Sequence, residues 1–176
     1  IPYLDAIDSE AQEIGAVNTI KIENGKLTGF NTDHYGFQQS LKAHLKPHHK
    51  KALILGTGGA SKAIAYALKK LGICFEYVSR TQSHNVKYTY KSLATSGIEG
   101  YQIIINCTPL GTFPDIHKCP EIPYEHITSK HLLFDLIYNP EETLFLKQGN
   151  AKNATTLNGL EMLRLQAEKS WELWNS

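Results

Sequence analysis

Apolar and polar positions divide the chain into two differently patterned stretches. Before Asp33 the runs are short. Asp5 to Ile14 carries Ile7, Ala11 and Ile14 at helical spacing, which predicts a short helix that Gly15 ends. Ala16 to Glu23 and Lys26 to Phe30 alternate with period two on either side of Asn24-Gly25. That arrangement predicts a hairpin, because a type I′ turn needs positive φ at both central residues. A helix then starts at Asp33, with Phe37, Leu41 and Leu45 on one side, and Pro47-His48-His49-Lys50 is a polar loop.

From Lys51 onward, apolar runs alternate with helical patterns. Lys51–Leu55 reads as a strand, Ser61–Leu71 as a helix and Cys74–Ser79 as a second strand. Tyr88–Leu93 is ambiguous, with a weak helix as one reading. Tyr101–Cys107 is a third strand around Ile103-Ile104-Ile105, and Leu132–Tyr138 is a fourth. Pro140 with Glu141-Glu142 fits a helix start, since proline is pre-organised there and acids suit the dipole; that helix ends near Gly149. Thr155-Thr156-Leu157 is a last short strand. Gly159 to Trp174 is a helix with Leu160, Leu163, Ala167, Trp171 and Trp174 on one stripe. Strands with unbroken apolar runs, alternating with helices, imply a parallel sheet covered on both faces. Right-handed crossovers make it doubly wound, so the expected class is α/β.

Composition narrows the field. A length of 176 residues suffices for one α/β domain, or one domain plus pieces of another. A hydrophobic share of 41% is ordinary for a soluble protein, and a formal net charge of +1 gives no reason to expect a nucleic-acid or membrane partner. No apolar run is long enough to span a bilayer, and no signal-peptide pattern is visible. Cys74, Cys107 and Cys119 lack metal-ligand spacing; they are expected as buried free thiols in a reducing, cytoplasmic setting. His48-His49 reads as a solvated pair, and no metal is expected. A start at Ile1 without methionine is expected of a fragment or a processed product.

Candidate chemistry lies at the carboxyl ends of the strands, where doubly wound sheets bind ligands. Gly56-Thr57-Gly58-Gly59-Ala60-Ser61 joins a strand to a helix. Unpaired amides at the helix start favour an anion, and glycine admits a pyrophosphate close to the main chain. Ser61 stands where the dinucleotide fingerprint has its third glycine, and a tight turn without ligand is the alternative. At the end of the second strand, Ser79-Arg80-Thr81 occupies the place where an acid would select NAD. An arginine fork suits a 2′-phosphate, which favours NADP, although Arg80 also fits a solvated turn. Asn106-Cys107-Thr108-Pro109 and Asp135 to Asn139 are the other strand-end segments. Taken alone, Asp33 reads as an N-cap. Asn18 reads as a strand-edge residue, Gln166 as the polar edge of a helix, and Tyr138 as a half-buried aromatic.

Taken together, these segments resemble shikimate dehydrogenase. The resemblance lies in Gly15-Ala16-Val17-Asn18-Thr19, Gly29-Phe30-Asn31-Thr32-Asp33-His34-Tyr35-Gly36, the Gly56 loop and Ser79-Arg80-Thr81. It continues in Asn106-Cys107-Thr108-Pro109-Leu110-Gly111, in Asp135-Leu136-Ile137-Tyr138-Asn139-Pro140 and in Asn158 to Ala167. It implies a Rossmann-like doubly wound sheet with remnants of a split substrate domain. Residues 1–32 and the helix 159–176 would belong to the substrate side, and residues 33–158 to the NADP-binding domain. It also implies NADPH-dependent, reversible reduction of 3-dehydroshikimate to shikimate in aromatic amino-acid biosynthesis. Asn18, Asp33, Tyr138 and Gln166 would meet the substrate. Gly56, Thr57, Gly58, Gly59 and Ala60 would hold the pyrophosphate. Ser79, Arg80, Thr81 and His84 would hold the 2′-phosphate, and Thr108, Leu136 and Gly159 would line the nicotinamide end. In the family a lysine exchanges the proton and an aspartate, matched by Asp33, tunes it. That lysine has no match in this sequence, so the chain is expected to be a cofactor half without turnover of its own. Lys21 and Lys26 lie on the hairpin and do not substitute. A homodimer is compatible with the sequence, and incomplete cover of the substrate side would leave apolar surface exposed. A quinate or shikimate dehydrogenase using NAD, a non-catalytic nucleotide-binding module, and other enzymes with a strand–glycine–helix unit, such as methylene-tetrahydrofolate dehydrogenase or glutamyl-tRNA reductase, are the competing readings.

Overall fold

A computed structural model describes residues 2–176. It contains two sheets. The smaller has the order β1-β3-β2, formed by Ala6–Ile7 (β1), Thr19–Glu23 (β2) and Lys26–Phe30 (β3). β2 and β3 pair antiparallel across the expected turn, where Asn24 and Gly25 have φ of 50° and 79°. Ser9–Ile14 (α1) starts later than the sequence pattern implies. Asp8 caps it, accepting from the Glu10 and Ala11 N–H groups, and Ala6-Ile7 is drawn off as a strand parallel to β3.

The larger sheet has the order β6-β5-β4-β7-β8-β9 and is parallel throughout. Its strands are Lys51–Leu55 (β4), Cys74–Ser79 (β5), Tyr88–Thr89 (β6), Ile103–Asn106 (β7), Leu132–Asp135 (β8) and Thr155–Leu157 (β9). The helices are Asp33–Lys42 (α2), Gly59–Lys70 (α3), Tyr90–Ser96 (α4), Leu144–Asn150 (α5) and Leu160–Asn175 (α6). The ambiguous Tyr88–Leu93 segment thus divides into a short edge strand and the start of α4, which a Thr89–Ser92 capping box fixes. α5 begins at Leu144 and not at Pro140, because the Thr143 hydroxyl accepts from the Leu146 N–H and sets the cap.

Alternate strand residues feed two cores. Ala52, Ile54, Ile103, Ile105, Leu132 and Phe134 pack with Phe37 and Leu41 of α2, Ile64 and Leu68 of α3, and Met162 of α6. Leu53, Leu55, Val78, Ile104 and Leu133 pack on the other face with Leu93, Phe145 and Leu146. Burial on both faces explains why these strands read as unbroken apolar runs.

The apolar stripe on α6 does not face a core. Leu160, Leu163, Trp171 and Trp174 are exposed, and the buried residues are Met162 and Ser170. α6 instead lays Met162 and Gln166 against α2, where the absence of a side chain at Gly36 lets the backbones close: a Cβ there would lie 2.5 Å from the Met162 carbonyl oxygen. Ile20 and Ile22 of β2 are exposed as well. The cysteines are free; Cys74 is exposed, against expectation, because it opens β5, and Cys107 and Cys119 are half-buried. His49 is buried with its ring on the Lys130 carbonyl oxygen, so only His48 of the pair is solvated.

Candidate cofactor cleft and carboxylate cluster

From β4 the chain runs outward to β5 and β6, then returns to place β7, β8 and β9 on the opposite side. The winding direction reverses between β4 and β7, and connections leaving in opposite directions open a crevice beyond the carboxyl ends of those strands. A cleft of about 320 Å³ lies there, lined by Gly56, Thr57, Gly58, Ser79, Arg80, Tyr90, Cys107, Thr108, Pro109 and Leu110. Gly56 has φ +102°, and a Cβ on it would come 3.1 Å from Thr108 Cγ2, so the two walls meet only because this residue is glycine.

The helix α3 that follows has Gly58 as its N-cap, and no side chain accepts its first N–H groups. A Cβ at Gly58 or Gly59 would meet nothing within 4 Å, so the space beside this turn is open. Ser61 in the third fingerprint position is buried and donates its hydroxyl to the Gly58 carbonyl oxygen at 2.7 Å, so it braces the turn from within. Arg80 is exposed on the rim and forms no salt bridge among the described residues. An uncapped helix start with a free guanidinium beside it is a fitting donor set for a phosphorylated nucleotide.

The remaining residues expected at this site fall outside the cleft lining. Gly59 and Ala60 form the first turn of α3. Thr81 and His84 are exposed in the loop past Arg80, with His84 Nδ1 3.2 Å from Asn85 Oδ1. Leu136 and Gly159 meet each other past the end of β8: a Cβ on Gly159 would lie 2.0 Å from the Leu136 carbonyl oxygen. Tyr90 is the lining residue that sequence reasoning missed. Its hydroxyl is buried without a partner among the described residues, and burial next to Cys107 raises it to about 12 against the pull of Arg80. The only local signal was a tyrosine opening a short amphipathic helix.

A second cluster forms where the hairpin, α2 and α6 meet. Asn18 Nδ2 donates to Asp33 Oδ1 at 2.8 Å and to the Thr32 hydroxyl at 3.1 Å, while Asn18 Oδ1 accepts from the Thr32 N–H at 2.8 Å. The Thr32 hydroxyl lies 3.2 Å from Gln166 Oε1, and Gln166 Nε2 donates to the Leu163 carbonyl oxygen. Asn18, Asp33 and Gln166 are therefore brought together around Thr32. Tyr138, about half exposed, has no hydrogen bond to them. Asp33 is not a helix cap: Thr32 holds that position, and the Asp33 carboxylate turns to Asn18. Burial raises Asp33 from its ordinary value, opposed by the Asn18 hydrogen bond and the neighbouring His34. Beneath it, Thr19, Thr32 and Ser170 share a buried hydroxyl cluster, with Thr19 Oγ1 2.7 Å and Thr32 Oγ1 3.0 Å from Ser170 Oγ. The repeated Asn-Thr pairs, Asn18-Thr19 and Asn31-Thr32, were the sequence trace of that base. Lys21 is directed away, to the Ser176 carbonyl oxygen and Glu23.

No group of three or more His, Cys, Asp or Glu among the described residues could hold a metal ion, and no helix among them is long and apolar enough to cross a membrane. No family model matches the chain. Individual proteins do. A shikimate dehydrogenase (NADP(+)) of Desulforamulus reducens is 35% identical over 99% of this chain and 66% of its own length. One of Carboxydothermus hydrogenoformans is 39% identical over 98% of this chain and 67% of its own. The crystal structure of shikimate 5-dehydrogenase from Thermus thermophilus in complex with NADP(H) and shikimate superposes with a TM-score of 0.84 at 34% identity, covering 98% of this chain and 67% of that one. The chain thus spans about two thirds of the length of the relatives it matches, 66% of the first. The reversal crevice, the strand order and these identities agree, and the chain belongs to the shikimate dehydrogenase family.

Proposed function

We propose that the chain binds NADP in the cleft between β4 and β7 and takes part in the reversible, NADPH-dependent reduction of 3-dehydroshikimate to shikimate, a step of aromatic amino-acid biosynthesis. The observation that carries this reading is the pairing of an uncapped α3 N-terminus with the unpaired Arg80 at the end of β5. The bound dinucleotide supplies the hydride chemistry.

The chain's own residues bind and orient. The loop Gly56 to Ala60 receives the pyrophosphate, with the N–H groups after Gly56 as donors, since the Gly56 N–H is held by the Val78 carbonyl oxygen. Arg80, with Ser79 and Thr81 and with His84 from the following loop, receives the 2′-phosphate. Each charge-assisted bond of this kind contributes about 1.5–3 kcal/mol, enough to favour NADP over NAD. Thr108, Leu136 and Gly159 shape the nicotinamide end. Asn18, Asp33 and Gln166 hydrogen-bond the hydroxyls of a polyhydroxylated ring, with Tyr138 beside it. Asp33, raised by burial, holds or tunes the proton of the group that reacts at the substrate hydroxyl. In this reading residues 33–158 are the cofactor-binding unit, and residues 1–32 with 159–176 supply the substrate side. The free cysteines accord with a reducing, cytoplasmic setting, and the exposed apolar face of α6 accords with self-association.

Calorimetric titration with NADP and NAD tests the cofactor reading, and NADPH formation from shikimate by a complete enzyme that supplies the family's lysine tests the reaction; the 176 residues alone should give none. The expected result is binding of NADP at least tenfold tighter than NAD, by about 1.4 kcal/mol. Equal affinities, or no binding of either, would overturn it.

A further inference from the structure

The proposed chemistry makes no use of a carboxylate buried beneath the Thr108 wall of the cleft. Asp135, the last residue of β8, has no exposed surface. Its Oδ1 accepts from Asn106 Nδ2 at 3.0 Å and from the Ile137 N–H at 3.1 Å, and its Oδ2 accepts from the Thr143 hydroxyl at 2.6 Å. Asn106, its register partner on β7, is equally buried. Asn106 Oδ1 accepts from the Thr108 N–H at 3.0 Å and the Thr108 hydroxyl at 2.7 Å, and Thr108 Oγ1 accepts from the Leu110 N–H at 3.3 Å. Thr108 and Leu110 line the cleft, and Thr108 packs against Gly56.

An ionised carboxylate only accepts hydrogen bonds. Asp135 therefore takes the NH₂ of Asn106 and turns the amide oxygen towards Thr108. We propose that Asp135 is a positioning residue for the cofactor site: its charge fixes the direction of the Asn106 amide, and Asn106 in turn holds the Thr108–Leu110 wall in its nucleotide-accepting form. This inference rests on the cofactor reading above. Once protonated, Asp135 becomes a donor that competes for Asn106 Oδ1, and Thr108 loses the acceptor of both its bonds.

Burial raises Asp135 to about 6, while its bonds from Thr143, Ile137 and Asn106 pull it down. The titratable groups facing it are the Cys107 thiol past the end of β7 and the Tyr124 phenol of the short 3-10 segment Tyr124–His126. Burial raises both, so both stay neutral while Asp135 changes charge. Thr143, facing it from α5, carries no charge.

Two measurements test the relay. In the protein without nucleotide, the Thr108 N–H and Asn106 NH₂ resonances should titrate together with a midpoint near pH 6. In Asp135→Asn that titration should vanish, and NADP should bind about tenfold more weakly at about pH 7.5. The 2′-phosphate of NADP itself titrates near pH 6, so the quantity to compare is the ratio of variant to parent Kd at each pH. That ratio should fall from about ten towards one as pH drops to about 5, because the protonated parent then resembles the variant. A Thr108 amide that does not titrate, or a ratio that stays constant with pH, overturns the relay. The parent titration remains decisive if Asp135→Asn does not fold. Failure of the parent to bind NADP overturns the cofactor reading instead, and the Thr108 resonance still decides the relay.

Discussion

The cleft takes its anion donors from main-chain N–H groups after β4, supplemented by one guanidinium, and all of them lie within a single strand–turn–helix unit and the end of the next strand. The Asn18–Asp33–Gln166 cluster takes its polar groups from side chains on the hairpin, α2 and α6, with Thr32 and Gln166 134 residues apart in sequence. A site made of backbone depends on local conformation and tolerates side-chain change. A site made of side chains depends on how separate elements dock, and fails when any one is cut back. Substitutions should therefore separate the two: in the cleft they should change which nucleotide binds, and in the cluster they should change what happens to it.

Asp33→Ala gives the widest separation. Loss of a proton-handling group lowers turnover by about 10²–10⁴-fold. In a complete enzyme that supplies the family's lysine, steady-state oxidation of shikimate should show a loss of that order, with NADP affinity and melting temperature close to the parent. If stability collapses while activity per folded molecule survives, Asp33 is a structural residue and the contrast between the regions disappears.

Arg80→Ala probes the cleft in the same way. Removing a charge-assisted bond worth about 1.5–3 kcal/mol weakens NADP by roughly 10–150-fold. NAD, without the 2′-phosphate, should bind as before. Equal loss for both would mean that Arg80 supports the loop and does not select the nucleotide. A third substitution tests the docking on which the cluster depends. Gly36→Ala places a Cβ 2.5 Å from the Met162 carbonyl oxygen and forces α6 away from α2. Overpacking of this kind costs about 1–3 kcal/mol. Denaturant unfolding should show that loss, and because Gln166 rides on α6, substrate affinity should suffer more than NADP affinity.

The same contrast explains what could be read from sequence. The strand before Gly56, the glycine turn and α3 were legible because each is specified by neighbours in the chain, and right-handed crossovers then implied a doubly wound sheet; that its winding reverses between β4 and β7 is visible only in the strand order. The Asn24-Gly25 hairpin was legible for the same reason. The α6 stripe was placed on one face correctly, but periodicity does not say what a face meets. The face that docks is the narrower one carrying Met162, Gln166 and Ser170, and it docks because Gly36 lies opposite. Asp33 looked like a cap because its true partner, Asn18, arrives across the hairpin. His84 joined the 2′-phosphate group through the family resemblance and not through any local pattern; its side chain lies beyond the cleft lining, beside Asn85. The role of Tyr90 could not be read because α4 brings it under Arg80 from the far side of an exposed loop.

The smallest expected effect bears on how the cluster sets the charge of Asp33. Burial raises this carboxyl and the Asn18 hydrogen bond lowers it, so Asn18→Ala should move its midpoint further up. A carboxyl raised in the folded state binds its proton more readily there than in the unfolded chain. Its contribution to stability is therefore greatest at low pH and is lost as pH rises through the folded midpoint. Deleting Asn18 enlarges that loss, while the hydrogen bond from the Thr32 N–H that Asn18 Oδ1 also accepts disappears equally at every pH. The stability deficit of Asn18→Ala relative to the parent should accordingly be smaller at about pH 4 than at about pH 7, which chemical denaturation at the two values would measure. A deficit that does not change with pH would show that Asn18 acts through its bonds to Thr32 alone, and that the Asp33 carboxyl owes its state to burial without help from the hairpin.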